Sequence, residues 1–186
     1  MSSSTRAVAA AVVLIVPVVL ELAWPAFGDH VPGHEIFAVS QLAGWLLLLS
    51  VCRRGIVPAK RGARIGRRSV LVGCVLQMLF AGIYAVTALD GEPLEAAFVF
   101  FLLGFLALTV GGLAWGTSLL RSGASIAGGG LLATAVAGLL AMLLGMDPWH
   151  DVFLVSSYAA WALVGRGFDA IPARRVPRAD RVVSAG

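Results

Sequence analysis

Three observations predict an all-α, polytopic membrane protein with six transmembrane helices, built as three parallel-repeat hairpins. The first is composition. Of the 186 residues, 59% are hydrophobic and 13% are charged, and mean hydropathy is +0.92. A soluble domain carries roughly 25% charged residues, so most of this chain's surface must face lipid. The second is charge: all 14 basic residues fall on one side of a six-span layout. The third is a phrase that occurs three times, as Pro32-Gly-His34-Glu35-Ile-Phe37, Pro93-Leu-Glu95-Ala-Ala-Phe98 and Pro148-Trp-His150-Asp151-Val-Phe153. Each copy stands just before an apolar stretch.

A span needs about 20 apolar residues. Six stretches qualify: 7–27, 34–52, 69–89, 96–120, 125–145 and 150–165. The first follows Arg6 and carries one acid, Glu21, within its apolar run. The second ends at Arg53 and Arg54. The third follows a segment, 53–68, with seven basic residues in sixteen, and holds Gln77 near its middle. The fourth is rich in phenylalanine and ends at Arg121. The fifth is rich in small residues. The sixth is the shortest; it starts near Pro148 and lets Arg166 snorkel to the interface. Together they form one transmembrane domain, 1–165, followed by a basic tail, 166–186.

The charges set the orientation. Arg6, the seven cations of 53–68, Arg121, and Arg166 with the four arginines of the tail share one face. Asp29, Glu35, Asp90, Glu92, Glu95, Asp147 and Asp151 share the other. The positive-inside rule then puts both termini in the cytoplasm of a plasma-membrane protein. The net charge of +4 is accounted for by topology and by anionic lipid headgroups, and it calls for no nucleic acid. Span one also has the basic start and apolar run of a signal peptide. Ala26-Phe-Gly28 is a poor cleavage site, and Glu21 interrupts the run, so the expectation is retention. Cys52 and Cys74 fall at cytoplasmic helix ends and read as small core residues; no zinc or redox spacing is present.

The repeat is most legible between 32–47 and 148–163, where eight of sixteen positions are identical. His34 matches His150, and Trp45 matches Trp161. Parallel repeats in membranes are related by an axis along the membrane normal. This relation makes His34, Glu95 and His150 equivalent, on helices two, four and six. If those helices line the axis, the three side chains converge. Two histidines and a carboxylate can hold a divalent metal, relay protons, or grip a polar headgroup. The same residues also serve as helix starts. Proline suits the first helical position, Glu92 and Asp147 are natural caps, and a first-turn carboxylate offsets the helix dipole.

Helical spacing extends this candidate site inward. His34, Phe37, Gln41 and Trp45 share one face, and His150, Phe153, Ser157 and Trp161 repeat it. Glu95, Phe98, Leu102 and Leu106 are an apolar version. Such a stripe lines either a pocket or a buried helix seam. Glu21, Glu35 and Asp151 support the site, and an intramembrane acid such as Glu21 is a functional candidate by default. Gly112 and Gly116, Gly130, Thr134 and Gly138, and Ala7 and Ala11 stand four apart, the spacing that lets helices pack closely in lipid.

In layout, and in the phrase at 112–123 (Gly-Leu-Ala-Trp-Gly-Thr-Ser-Leu-Leu-Arg-Ser-Gly), the chain resembles uncharacterised six-helix membrane proteins of high-GC actinobacteria. That resemblance implies no activity. In length and helix number it is similar to energy-coupling-factor substrate-capture components. Ala7-x-x-x-Ala11 looks like their small-residue contact, which implies a membrane protein partner and a substrate near the outer face. Pro93-Leu-Glu95 with Phe98, Phe100 and Phe101 looks like the helix opening of lycopene-cyclase-type enzymes, although Ala96 replaces their second acid. Mitochondrial carriers also have three hairpins, on far longer chains. The leading expectation is a non-enzymatic protein that binds or passes a small solute or ion through an outer-facing polar site. The alternatives are a membrane-embedded enzyme acting on a lipid or isoprenoid, and an accessory subunit of a membrane complex. No cofactor is expected apart from the divalent metal that His34, Glu95 and His150 could hold.

Overall fold

Every described element is an α-helix: α1 (Ser3–Ala23), α2 (Gly33–Arg54), α3 (Arg61–Leu89), α4 (Glu95–Arg121), α5 (Ser125–Leu144) and α6 (Pro148–Ala170). A computed structural model describes the backbone of residues 1–23, 33–89, 95–144 and 148–170. It describes the side chains within 1–20, 36–86, 97–144 and 149–170. Five helices, α1 to α5, are long and apolar enough to cross a membrane. α6 carries His150, Asp151, Arg166 and Asp169 and stands outside that group.

The largest departure from the expected boundaries is at α3, which begins at Arg61 rather than near residue 69. Arginine is a good helix former, and Arg67 has a partner that fixes it. Its Nε donates to the Cys52 carbonyl at 3.0 Å, and its Nη2 donates to the Arg53 carbonyl. These are carbonyls from the last turn of α2, which have no partner within their own helix. Arg67 therefore caps α2 from α3. Between α4 and α5 the chain turns through Gly123, at φ +87°. Ala124 N–H donates to Leu119 O at 3.0 Å, and Gly123 N–H donates to Leu120 O at 3.1 Å. This is a Schellman closure, and its left-handed position suits glycine.

Each helix packs against its chain neighbours, and α6 packs back against α1. The six helices thus close into a ring. Glycine and alanine make the seams. On α3 and α4, Gly66 faces Gly111 and Gly73 faces Gly104, in antiparallel register. A methyl added at Gly111 would come within 2.7 Å of the Gly66 carbonyl oxygen. On α4 and α5, Gly116 lies on the Gly128 carbonyl; on α5 and α6, Gly130 lies on Val164; on α6 and α1, Gly165 touches Ala7. The seam of α2 and α3 holds the buried Cys52 and Cys74, whose thiols touch. Gln77 Nε2 donates across the α3–α4 seam to Phe101 O at 3.1 Å.

The ends of α1 and α6 clasp. The Asp169 carboxylate accepts from Ser4 N at 2.7 Å and from Ser3 N at 3.1 Å. The last described helix thus supplies the N-terminal cap of the first.

The ring is filled by aromatic layers. At the basic end, Trp115 and Phe168 lie 5.4 Å apart beneath Gly55, and Trp115 Nε1 donates to the Ile56 carbonyl at 3.0 Å. Farther along the axis stand Trp45, Phe105, Tyr158 and Trp161. The outer surface is apolar: Val72, Val86, Leu103, Val136 and Leu143 are among many exposed aliphatic side chains. A surface this apolar is solvated by lipid.

One expectation is overturned here. Phe98, Leu102 and Leu106 do not continue the inner stripe; all three are exposed on the outer surface. α4 instead turns Phe105, Leu108 and Thr109 inward. The close Gly104 and Gly111 contacts with α3 fix its rotation about its own axis, and side-chain spacing alone could not reveal this.

Candidate functional site

The inner faces of α2 and α6 meet at the centre of the ring. On α2, Gln41 and Trp45 sit one turn apart, and the Trp45 indole Nε1 donates to Gln41 Oε1 at 2.9 Å. Both are buried, Gln41 being 3% exposed and Trp45 2%. On α6, Ser157, Tyr158 and Trp161 point the same way and are equally buried. Trp45 and Tyr158 meet edge to face, with ring centroids 6.1 Å apart. The positions matched in the repeat, Gln41 with Ser157 and Trp45 with Trp161, therefore all lie inside.

α5 closes the chamber through Thr134. Ser157 Oγ donates to Thr134 O at 3.0 Å, and Thr134 Oγ1 donates to Ser157 O at 3.4 Å. This reciprocal pair ties α5 to α6 and satisfies both hydroxyls. Thr109 and Phe105 come from α4. Between these groups lies a small void of ≈ 10 Å³, bordered by Trp45, Phe105, Thr109, Thr134, Tyr158 and Trp161. That is room for about one water-sized group.

The Gln41 amide lies against the Tyr158 hydroxyl, whereas Trp161 Nε1, buried at the edge of the void, has no hydrogen-bond partner among the described residues. Leaving such a group unpaired costs about 1–3 kcal/mol. The indole N–H is a donor, so a group that supplied an acceptor oxygen beside Trp161 would relieve it.

The outer part of the expected site is only partly described. His150 is half-buried, and its Nδ1 donates to the Ala141 carbonyl of α5 at 2.6 Å. This bond satisfies a carbonyl of the last turn of α5, the capping role that the motif also allowed. Asp151 is half-buried in the first turn of α6, where its charge offsets the helix dipole. The side chains of Glu21, His34, Glu35 and Glu95 lie outside the described residues. Among the described residues, no group of three His, Cys, Asp or Glu could hold a metal ion.

Sequence spacing found Gln41, Trp45, Ser157 and Trp161 but missed Tyr158, Thr109 and Phe105. Tyr158 follows Ser157 directly, so a one-residue-wide stripe could not include both; a face about 100° wide would have. Compared with known proteins, the chain matches no family model, no curated protein and no solved structure.

Proposed function

We propose that this chain is a non-enzymatic plasma-membrane protein that binds a small solute from its outer side and takes one hydrogen-bond acceptor group of that solute at the centre of a six-helix transmembrane ring. One observation carries this reading: Trp161 Nε1 is a buried donor with no partner among the described residues, and Trp161 borders the central void. α6 crosses the membrane with the other five, since it packs between α1 and α5 and turns a buried stripe inward. Charge puts the basic end, with both termini, on the cytoplasmic side. Two repeat-matched pairs on the inner face, Gln41/Ser157 and Trp45/Trp161, support the three-hairpin reading, and α2, α4 and α6 alternate around the ring.

Binding suits this geometry better than passage. Trp115 and Phe168 fill the basic end beneath the α2–α3 turn. A solute would therefore enter from the opposite face, past His150 and Asp151, and stop at the indoles.

Trp45 and Trp161 make occupancy visible. Purified protein is titrated with small amides, carboxylates and alcohols while tryptophan emission is recorded. One acceptor class should shift the emission saturably. Trp161→Phe should abolish the response: it removes the unpartnered N–H and keeps an aromatic ring in the wall, and Trp45 remains as the reporter. If no acceptor solute moves the emission, or if the variant responds like the parent, the proposal fails.

A further inference from the structure

The basic end of the bundle carries a second cavity, unrelated to the central chamber. It is a groove of ≈ 420 Å³ lined by Val57, Pro58, Ala59, Arg64, Arg67 and Arg68. Its size falls within the roughly 300–1,000 Å³ of small-molecule sites. Three arginines converge there from successive turns of α3. Arg67 is fixed in place by its bonds to the α2 carbonyls, so its guanidinium is held before any ligand arrives.

Nothing described in the protein neutralises this cluster. The first turn of α3 holds no acid. Asp169 is the one described carboxylate at this end, and its oxygens accept from Ser3 and Ser4. Guanidinium groups gathered this closely repel one another unless an anion bridges them, and their planar fork matches phosphate oxygens. The rim is apolar as well as basic. Val57 and Pro58 form one wall, and the neighbouring Ile65 is 56% exposed. A free phosphate in water has no use for such a rim. A phosphate attached to an acyl-bearing lipid does, at the depth where basic residues meet headgroups.

We infer that the groove of Arg64, Arg67 and Arg68 binds the phosphate of an anionic membrane lipid, with Val57 and Pro58 against its apolar part. The lipid would bridge the α2–α3 turn to α3 and so brace that seam.

Detergent-solubilised full-length protein is titrated with short-chain dioctanoyl phosphatidylglycerol, and its unfolding midpoint is followed by tryptophan emission. The same titration is run with dioctanoyl phosphatidylcholine and with inorganic phosphate. The anionic lipid should raise the midpoint saturably, and the other two should not. Arg64→Gln combined with Arg68→Gln should weaken this binding by about tenfold or more. Both side chains are exposed, so the unliganded midpoint should hold. Arg121→Gln combined with Arg166→Gln removes two charges outside the groove and should leave the response unchanged. If the Gln pair does not fold, Arg64→Lys with Arg68→Lys takes its place; it keeps the charge, loses the fork, and should still weaken binding. Equal stabilisation by phosphatidylcholine overturns the proposal, and so does an equal response to inorganic phosphate, which would make the groove a soluble-anion site. An equal loss in the Arg121/Arg166 control, or no saturable shift at all, also overturns it.

Discussion

Single residues in this protein act mainly by closing gaps or satisfying backbone groups. Gly111 shows the first role. A methyl there would come within 2.7 Å of both Gly66 O and Val70 N, and neither backbone can move independently of its helix. Gly111→Val should therefore destabilise the fold by about 1–3 kcal/mol or more, read as a lower unfolding midpoint in detergent. The equivalent change at Gly129, where nothing lies within 4 Å of an added methyl, should have little effect and serves as the control. His150 shows the second role. Its bond to Ala141 O predicts that His150→Ala costs about 1 kcal/mol, even where no ligand is present. An unchanged midpoint would return His150 to the pool of residues kept for chemistry alone.

Helices are held to one another at their ends as much as along their seams. Arg67 anchors α3 to α2 through two carbonyls. Arg67→Met should lower stability by about 1–3 kcal/mol and expose the last turn of α2 to faster amide exchange. Arg67→Lys should recover only part of this, because an ammonium cannot reach both carbonyls with the geometry of a fork. The same contact explains why the helix of α3 extends through a stretch that reads from sequence as a charged connection. Along the chain, the cations of 53–68 show only a basic run. Folded back on α2, one of them becomes a cap.

Across the whole molecule, the ring is closed by the clasp between Asp169 and the start of α1. Backbone N–H groups of Ser4 and Ser3 hold the Asp169 carboxyl below its ordinary value. A carboxyl lowered in this way stabilises the fold above the ordinary carboxylate pKa, and the contribution fades as pH falls through the lowered value. Asp169→Ala should cost about 1 kcal/mol at neutral pH, in line with a lost N-terminal cap. The difference between variant and parent should shrink as the solution is acidified below pH ~4. A difference independent of pH would point to packing rather than to the carboxylate. The site is also filled at this scale. α2, α4, α5 and α6 each contribute to the central chamber, and no two neighbouring helices build it alone.

The amino-acid sequence by itself determined the class of object and much of its inner face. Composition required a lipid-facing surface. Apolar runs marked all six helices, and the repeat with helical spacing picked out Gln41, Trp45, Ser157 and Trp161 before any contact was known. These features are legible because each depends on one helix and its solvent, which hydropathy and periodicity report directly. Tertiary structure alone decided the rest. It turned Phe98, Leu102 and Leu106 of α4 outward, placed the Cys52 and Cys74 thiols in contact, joined Asp169 to Ser3 and Ser4, and gathered Arg64, Arg67 and Arg68 into a groove. Each of these depends on the rotation and register of one helix against another. In lipid, where hydrophobicity does not drive helices together, that choice rests on close packing and a few hydrogen bonds.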